Sequence, residues 1–145
     1  MNASRRTGFI SYLLPALLYC AIIFLVSSLS APPAPSYPFA WGDKVNHAGA
    51  FAIMMALVFR GIRWLLPERS TRVQLILALA CCMLYGATDE IHQAFVPNRQ
   101  CDIFDWMADT VGALLAMGCI VPALRTRWGR IFFGPAPGTP PAGER

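Results

Sequence analysis

A chain of 145 residues that is 56% hydrophobic and only 14% charged, with a mean hydropathy of +0.48, is too apolar for an ordinary soluble domain and belongs in a membrane. A net charge of +4 and a pI near 9.0 would ordinarily raise nucleic-acid binding, but here the basic residues fall where membrane topology signals fall, so no nucleic-acid partner is expected.

Crossing about 30 Å of hydrocarbon at about 1.5 Å per residue takes roughly 20 mostly apolar residues. Four stretches meet that requirement, at about 9–29, 46–66, 73–95 and 103–124. The fold expected is therefore all-α, an integral membrane bundle of four transmembrane helices over 1–124, followed by a cytoplasmic basic, Pro/Gly-rich disordered tail over 125–145. The first stretch, after Arg5 and Arg6, also resembles a secretory leader. Its apolar part exceeds the usual h-region of about 7 to 15 residues, and neither Ser28/Ser30 nor Leu29/Ala31 is a good cleavage pair, so it is expected to stay as a helix. Pro15 within it predicts a bend.

Between the first and second spans lies a Pro-rich segment carrying Tyr37, Phe39 and Trp41, expected to be extended and to rest at the interface. The loop charges orient the bundle. Ten basic residues, from Arg5 and Arg6 through Arg60, Arg63, Arg69 and Arg72 to Arg125, Arg127, Arg130 and Arg145, fall on one side, against Lys44 and Arg99 on the other. Short basic loops stay in the cytoplasm, which gives an N-in/C-in topology. Six of the eight acids, Asp43, Asp89, Glu90, Asp102, Asp105 and Asp109, then share the outer side. The five cysteines have no metal-binding spacing and Cys101 has no partner on its side, so they are expected to be packing residues without a disulfide.

The acids are patterned. In the third span Asp89, Glu90 and Gln93 lie within about 100° of arc, with His92 on the opposite flank of Asp89 and ranked as interfacial. In the fourth, Asp102, Asp105 and Asp109 form a stripe about 60° wide, beside a small-residue row of Ala108, Gly112 and Ala116 that would let a neighbour approach closely. In the second span Asp43 and His47 sit one turn apart with Lys44 adjacent. Asp89 and Asp109 each lie roughly 9 Å inside their spans, where an unpaired charge costs several kcal/mol, so a shared interior cleft opening outward is the expectation. A structural alternative stands beside it: Lys44 and Arg99 joining several carboxylates in an ion-pair network.

The segments DKVNHAGAF and TDEIHQAFVPNRQCDIFDWMADTVGALLA resemble the two signature stretches of the VanZ-like membrane protein family. Asp43, Lys44, His47 and Phe51 match its D-K-x-x-H-x-x-x-F pattern. Asp89, Glu90, Gln93, Phe95, Pro97 and Arg99 match D-E-x-x-Q-x-F-x-P-x-R, followed by Asp105, Asp109 and Gly112. Asn98 stands where that family commonly has Gly, and Asp109 where it has Asn or Asp. The resemblance implies a small multi-span envelope protein, whose namesake is associated with lowered teicoplanin susceptibility. It directs the reading to the bacterial inner membrane and to membrane lipids, a lipid-linked envelope precursor or a lipoglycopeptide as partner. In a catalytic version Asp89, Glu90 and Asp109 supply acid/base chemistry with His47 as the alternative base, while Arg99, Gln93, Asp43, Lys44 and Asp105 bind the ligand. No Ser/His/Asp or Cys/His nucleophile spacing is present, which favours binding without turnover. No metal set and no cofactor are assigned, a divalent cation is left open, and the sequence does not set the oligomeric state.

Overall fold

A computed structural model describes residues 3–31 and 41–134. Among them every regular element is helical: α1 (Ala3–Gly8), a π-helical segment (Phe9–Leu13), α2 (Leu14–Ser27), α3 (Gly42–Leu65), α4 (Thr71–Gln93), α5 (Ile103–Ala123) and α6 (Arg127–Phe133). Four spans are long and apolar enough to cross a membrane, Arg6–Ser27, which joins α1 to α2 through the π segment, and then α3, α4 and α5. The chain is a multi-pass membrane protein.

Local chemistry sets the boundaries. Ser70 and Asp102 cap α4 and α5 by accepting from the N–H groups of Val73 and Phe104, at 3.4 and 2.9 Å. The second span begins at Gly42 rather than near 46, so Asp43 and Lys44 belong to its first turn. An acid is favourable there, because free N–H groups and the helix dipole attract negative charge. In the first span the expected bend at Pro15 takes another form. Proline offers no N–H to the carbonyl one turn back, and the helix widens into the π segment just before it, with Leu14 N–H reaching Phe9 O.

α3 is the centre of the bundle. Its Phe51, Met54, Met55 and Phe59 pack with Ala78 and Cys82 of α4, Ala113 and Ile120 of α5 and Phe133 of α6. The small-residue row does what its spacing predicts: a Cβ on Gly112 would lie 2.0 Å from the Ala48 carbonyl oxygen, so α5 touches the α3 backbone. The first span is peripheral. Only 6% of its most apolar window is buried, against 33% in α3, and Ile22, Leu25 and Val26 are exposed.

The expectation of a disordered tail from 125 onward is corrected over its first part. Thr126 caps α6 by accepting from Gly129 N–H, and Phe133 is buried against Phe59 with ring centroids 5.4 Å apart. Two aromatic residues, Phe132 and Phe133, outweigh the basic composition, and Arg60 lies between the rings of Phe132 and Tyr12 at 4.8 and 5.0 Å. The stretches holding Tyr37, Phe39 and the tail beyond Gly134 lie outside the described residues.

Candidate functional site

Every acid that the charge pattern assigns to one side gathers at one end of the bundle, in three linked groups. In the first, Lys44 reaches Asp43, Asp102 and Asp105 at 3.1, 2.7 and 2.7 Å. One ammonium thus ties the first turn of α3 to the start of α5. The ammonium beside Asp102 holds that carboxyl below the usual carboxylate range, aided by the Phe104 N–H that it caps.

The second group runs from α2 to the loop after α4. Ser27 Oγ donates to Asp89 Oδ1 at 2.7 Å, Gln93 Nε2 donates to Asp89 Oδ2 at 2.8 Å, and Arg99 donates twice to Gln93 Oε1, through Nε at 3.1 Å and through Nη2. The four-residue spacing of Asp89 and Gln93 places them on one helical face, where the amide reaches the carboxylate. Arg99 therefore does not join the carboxylates as the ion-pair alternative expects. Among the described residues no carboxylate lies within ion-pair reach of it, so of Lys44 and Arg99 only Lys44 holds acids. The reason is local: Arg99 closes a tight turn in which Asn98 adopts φ 63° and Arg99 N–H bonds Val96 O, which sends the guanidinium back along α4 to Gln93.

The third group is the most enclosed. His47 Nδ1 lies 3.0 Å from Asp109 Oδ1, and His47 Nε2 is 3.6 Å from Asp105 Oδ1. Glu90 accepts through Oε2 from Asp102 N–H at 2.9 Å. Glu90 Oε1 and Asp109 Oδ2 are buried without a hydrogen-bond partner. His47, Glu90 and Asp109 each bring one ligand atom within 4.8 Å of the others. Asp89 and Asp109, which the depth argument allowed to meet, each hydrogen-bond to partners of their own.

His92, ranked as interfacial from its position, packs against the first span. Its ring stacks on Phe24 at 4.6 Å and Nε2 contacts Ser28 Oγ at 2.9 Å. This is a serine–histidine pair that sequence spacing did not reveal. Ser28 Oγ also donates to Phe24 O at 2.7 Å, so the pair joins α4 to the first span.

A cavity of about 350 Å³ lies between the first span and this polar end. Ile22, Ile23 and Val26 form an apolar wall on α2, while Asp43, His47, Asp89 and Arg99 lie at the other side. Glu90 and Asp109 do not line it. The apolar wall comes from the first span, which the sequence reading left without a role, and Ser27 is the site residue that reading missed. Its signal is slight: one hydroxyl at the end of an apolar run, opposite an acid 62 residues away.

At the far end Arg63 and Gln74 are also buried, with Gln74 Nε2 donating to Leu66 O at 2.9 Å. Met55, Phe59, Ala78, Cys82 and Ala113 form an apolar layer between the two polar ends.

The VanZ/LLP1 family matches residues 21–125, a range that contains all three groups. An uncharacterized protein of Schizosaccharomyces pombe is 32% identical over 96 residues, which cover 66% of this chain. The chain spans 57% of that relative's length. No solved structure matches the chain.

Proposed function

This chain belongs to the VanZ/LLP1 family, and from that premise we propose that it binds an amphiphilic component of the cell envelope, in the bacterial inner membrane, with both termini cytoplasmic and the acidic end outward. The cavity carries the proposal, because its two walls differ in chemistry. An acyl chain fits against Ile22, Ile23 and Val26, and a head group fits where Asp89, His47 and Arg99 converge. Arg99 spends two donors on one oxygen of Gln93 and keeps others for an anionic group such as phosphate. Asp89, held by Ser27 and Gln93, supplies an acceptor face for hydroxyls or an amine. Lipid-linked wall precursors and lipid-tailed glycopeptides both combine these features, and teicoplanin is of the second kind.

Binding is favoured over turnover because the sequence carries no Ser/His/Asp or Cys/His nucleophile spacing. A proton-coupled carrier is disfavoured by the apolar layer between the two polar ends. The reading of the cluster as a purely structural ion-pair network is favoured by one observation, the bridging of three aspartates by Lys44.

The test compares a lipid-tailed glycopeptide with a tail-less one directed at the same cell-wall target, in cells overexpressing the protein. Potency falls for the tailed drug only, and Asp89→Asn at matched protein level erases the difference. Equal shifts for both drugs, or none, refute the proposal.

A further inference from the structure

The charges at the polar end do not balance where burial is deepest. Lys44 serves Asp43, Asp102 and Asp105, and the Asp89 oxygens are met by Ser27 and Gln93. Glu90 and Asp109, only 3% and 1% exposed, have no cation among the described residues other than His47 when protonated, and each keeps one buried oxygen with no partner. Two carboxylates left in this state in a low-dielectric interior are costly. A bound dication removes that cost.

We propose that His47, Glu90 and Asp109 form a divalent transition-metal site. One nitrogen and two carboxylate oxygens already lie within 4.8 Å of one another. His47 Nδ1 and Asp109 Oδ1 share a hydrogen bond of 3.0 Å, and ligands about 2.1 Å from a shared metal and at right angles to each other also stand about 3.0 Å apart, so an ion can replace that proton with little movement of either group. The other ring nitrogen lies 3.6 Å from Asp105 Oδ1, longer than a hydrogen bond but on the side from which an outer carboxylate orients a metal-bound histidine. Glu90 is held similarly: Asp102 N–H fixes Oε2 and leaves Oε1 free. Gly86 gives Asp109 Oδ2 its space, since a Cβ there would lie 3.1 Å from that oxygen.

The donor set selects among metals. Calcium and magnesium take oxygen ligands almost wholly, whereas an imidazole with two carboxylates suits Mn²⁺ or Zn²⁺. Three protein ligands leave further positions open for water or for an oxygen of a bound molecule, and His47, which also lines the cavity, places the metal beside the head-group end. The site stands independently of the amphiphile reading, because metal binding is measured without lipid or drug.

The full chain, purified in detergent and stripped with chelator, is equilibrated with Mn²⁺ and, in parallel, with Zn²⁺, then dialysed and assayed by elemental mass spectrometry. The expected retention is about one equivalent per chain, with nitrogen coupling from one histidine in the electron-nuclear resonance of the Mn²⁺ form. His47→Ala and Glu90→Gln are expected to lower retention at least about tenfold. Replacing all five cysteines with Ser leaves retention unchanged and excludes thiolate capture of zinc. Retention of neither metal by the wild-type chain overturns the site without recourse to variants, as does Mn²⁺ binding with no nitrogen coupling. Undiminished retention in Glu90→Gln overturns it too.

Discussion

Replacing Gly112 with Ala tests how the bundle holds its polar end together. The added methyl would lie 2.0 Å from the Ala48 carbonyl oxygen, 2.6 Å from its carbon and 2.7 Å from Cα, all backbone atoms that no rotamer change can move. A normal contact of at least about 3.4 Å therefore requires α3 and α5 to separate locally by more than about 1 Å. His47 precedes Ala48 by one residue and Asp109 precedes Gly112 by three, so the same separation stretches their 3.0 Å contact beyond hydrogen-bonding range. Overpacking costs about 1–3 kcal/mol, and losing a hydrogen bond to a charged group adds about 1.5–3 kcal/mol. A loss of about 3–5 kcal/mol is expected from one methyl. Thermal unfolding in detergent, with Gly49→Ala and Gly118→Ala as controls, measures it, because neither control methyl meets anything within 4 Å. Ala48→Gly should not rescue Gly112→Ala, since the obstruction is main chain. Stability of Gly112→Ala equal to that of the controls would refute the close approach of α3 and α5.

Asn98, at φ 63°, occupies the left-handed region, so Asn98→Gly is expected to be neutral while Asn98→Val loses about 1–2 kcal/mol in the same assay. Asp102 has its carboxyl pKa lower when folded than when unfolded, so its pairing with Lys44 stabilises above the ordinary aspartate range and is lost as pH falls through the folded value; melts from pH 6 downward should decline more steeply for the wild type than for Asp102→Asn. Asp89→Asn leaves Ser27 and Gln93 donors facing an amide and should abolish function with the protein still accumulating, whereas the more exposed Asp102→Asn is milder; loss of protein in proportion to function in both would make the residues purely structural. With Cys101 replaced, a cysteine at 98 should react with an impermeant reagent from outside and one at 68 should not, and the reverse would overturn the orientation.

Four spans and the gathering of the acids at one end were legible because each rests on a strong local signal: about 20 apolar residues, or a carboxylate repeating at helical spacing. The role of Gly112 was legible for the same reason. What escaped were contacts between residues far apart in sequence and weak in composition. Ser27 reads as one more small residue in an apolar run, yet it holds Asp89. Arg99 looked like a partner for acids because charge pairing dominates any reading made without the turn, but the Asn98 conformation sends it to Gln93 instead. α6 was hidden by its arginines, since composition weighs them against helix burial while the fold uses Phe132 and Phe133 to seat the segment. Asp89 and Asp109 differ for a similar reason: equal depth along two helices says nothing of which neighbour each side chain faces.

The amphiphile in the cavity is tested most directly by mass spectrometry of the protein extracted in mild detergent, comparing the wild type with Val26→Trp, which fills the apolar wall, and Arg99→Gln, which removes the anion donor. The account predicts one class of lipid-tailed molecule with an anionic head bound to the wild type, displaced in Val26→Trp and weakened in Arg99→Gln while both variants remain monodisperse. A wild-type spectrum with no bound amphiphile, or the same bound mass at the same occupancy in all three proteins, would contradict it.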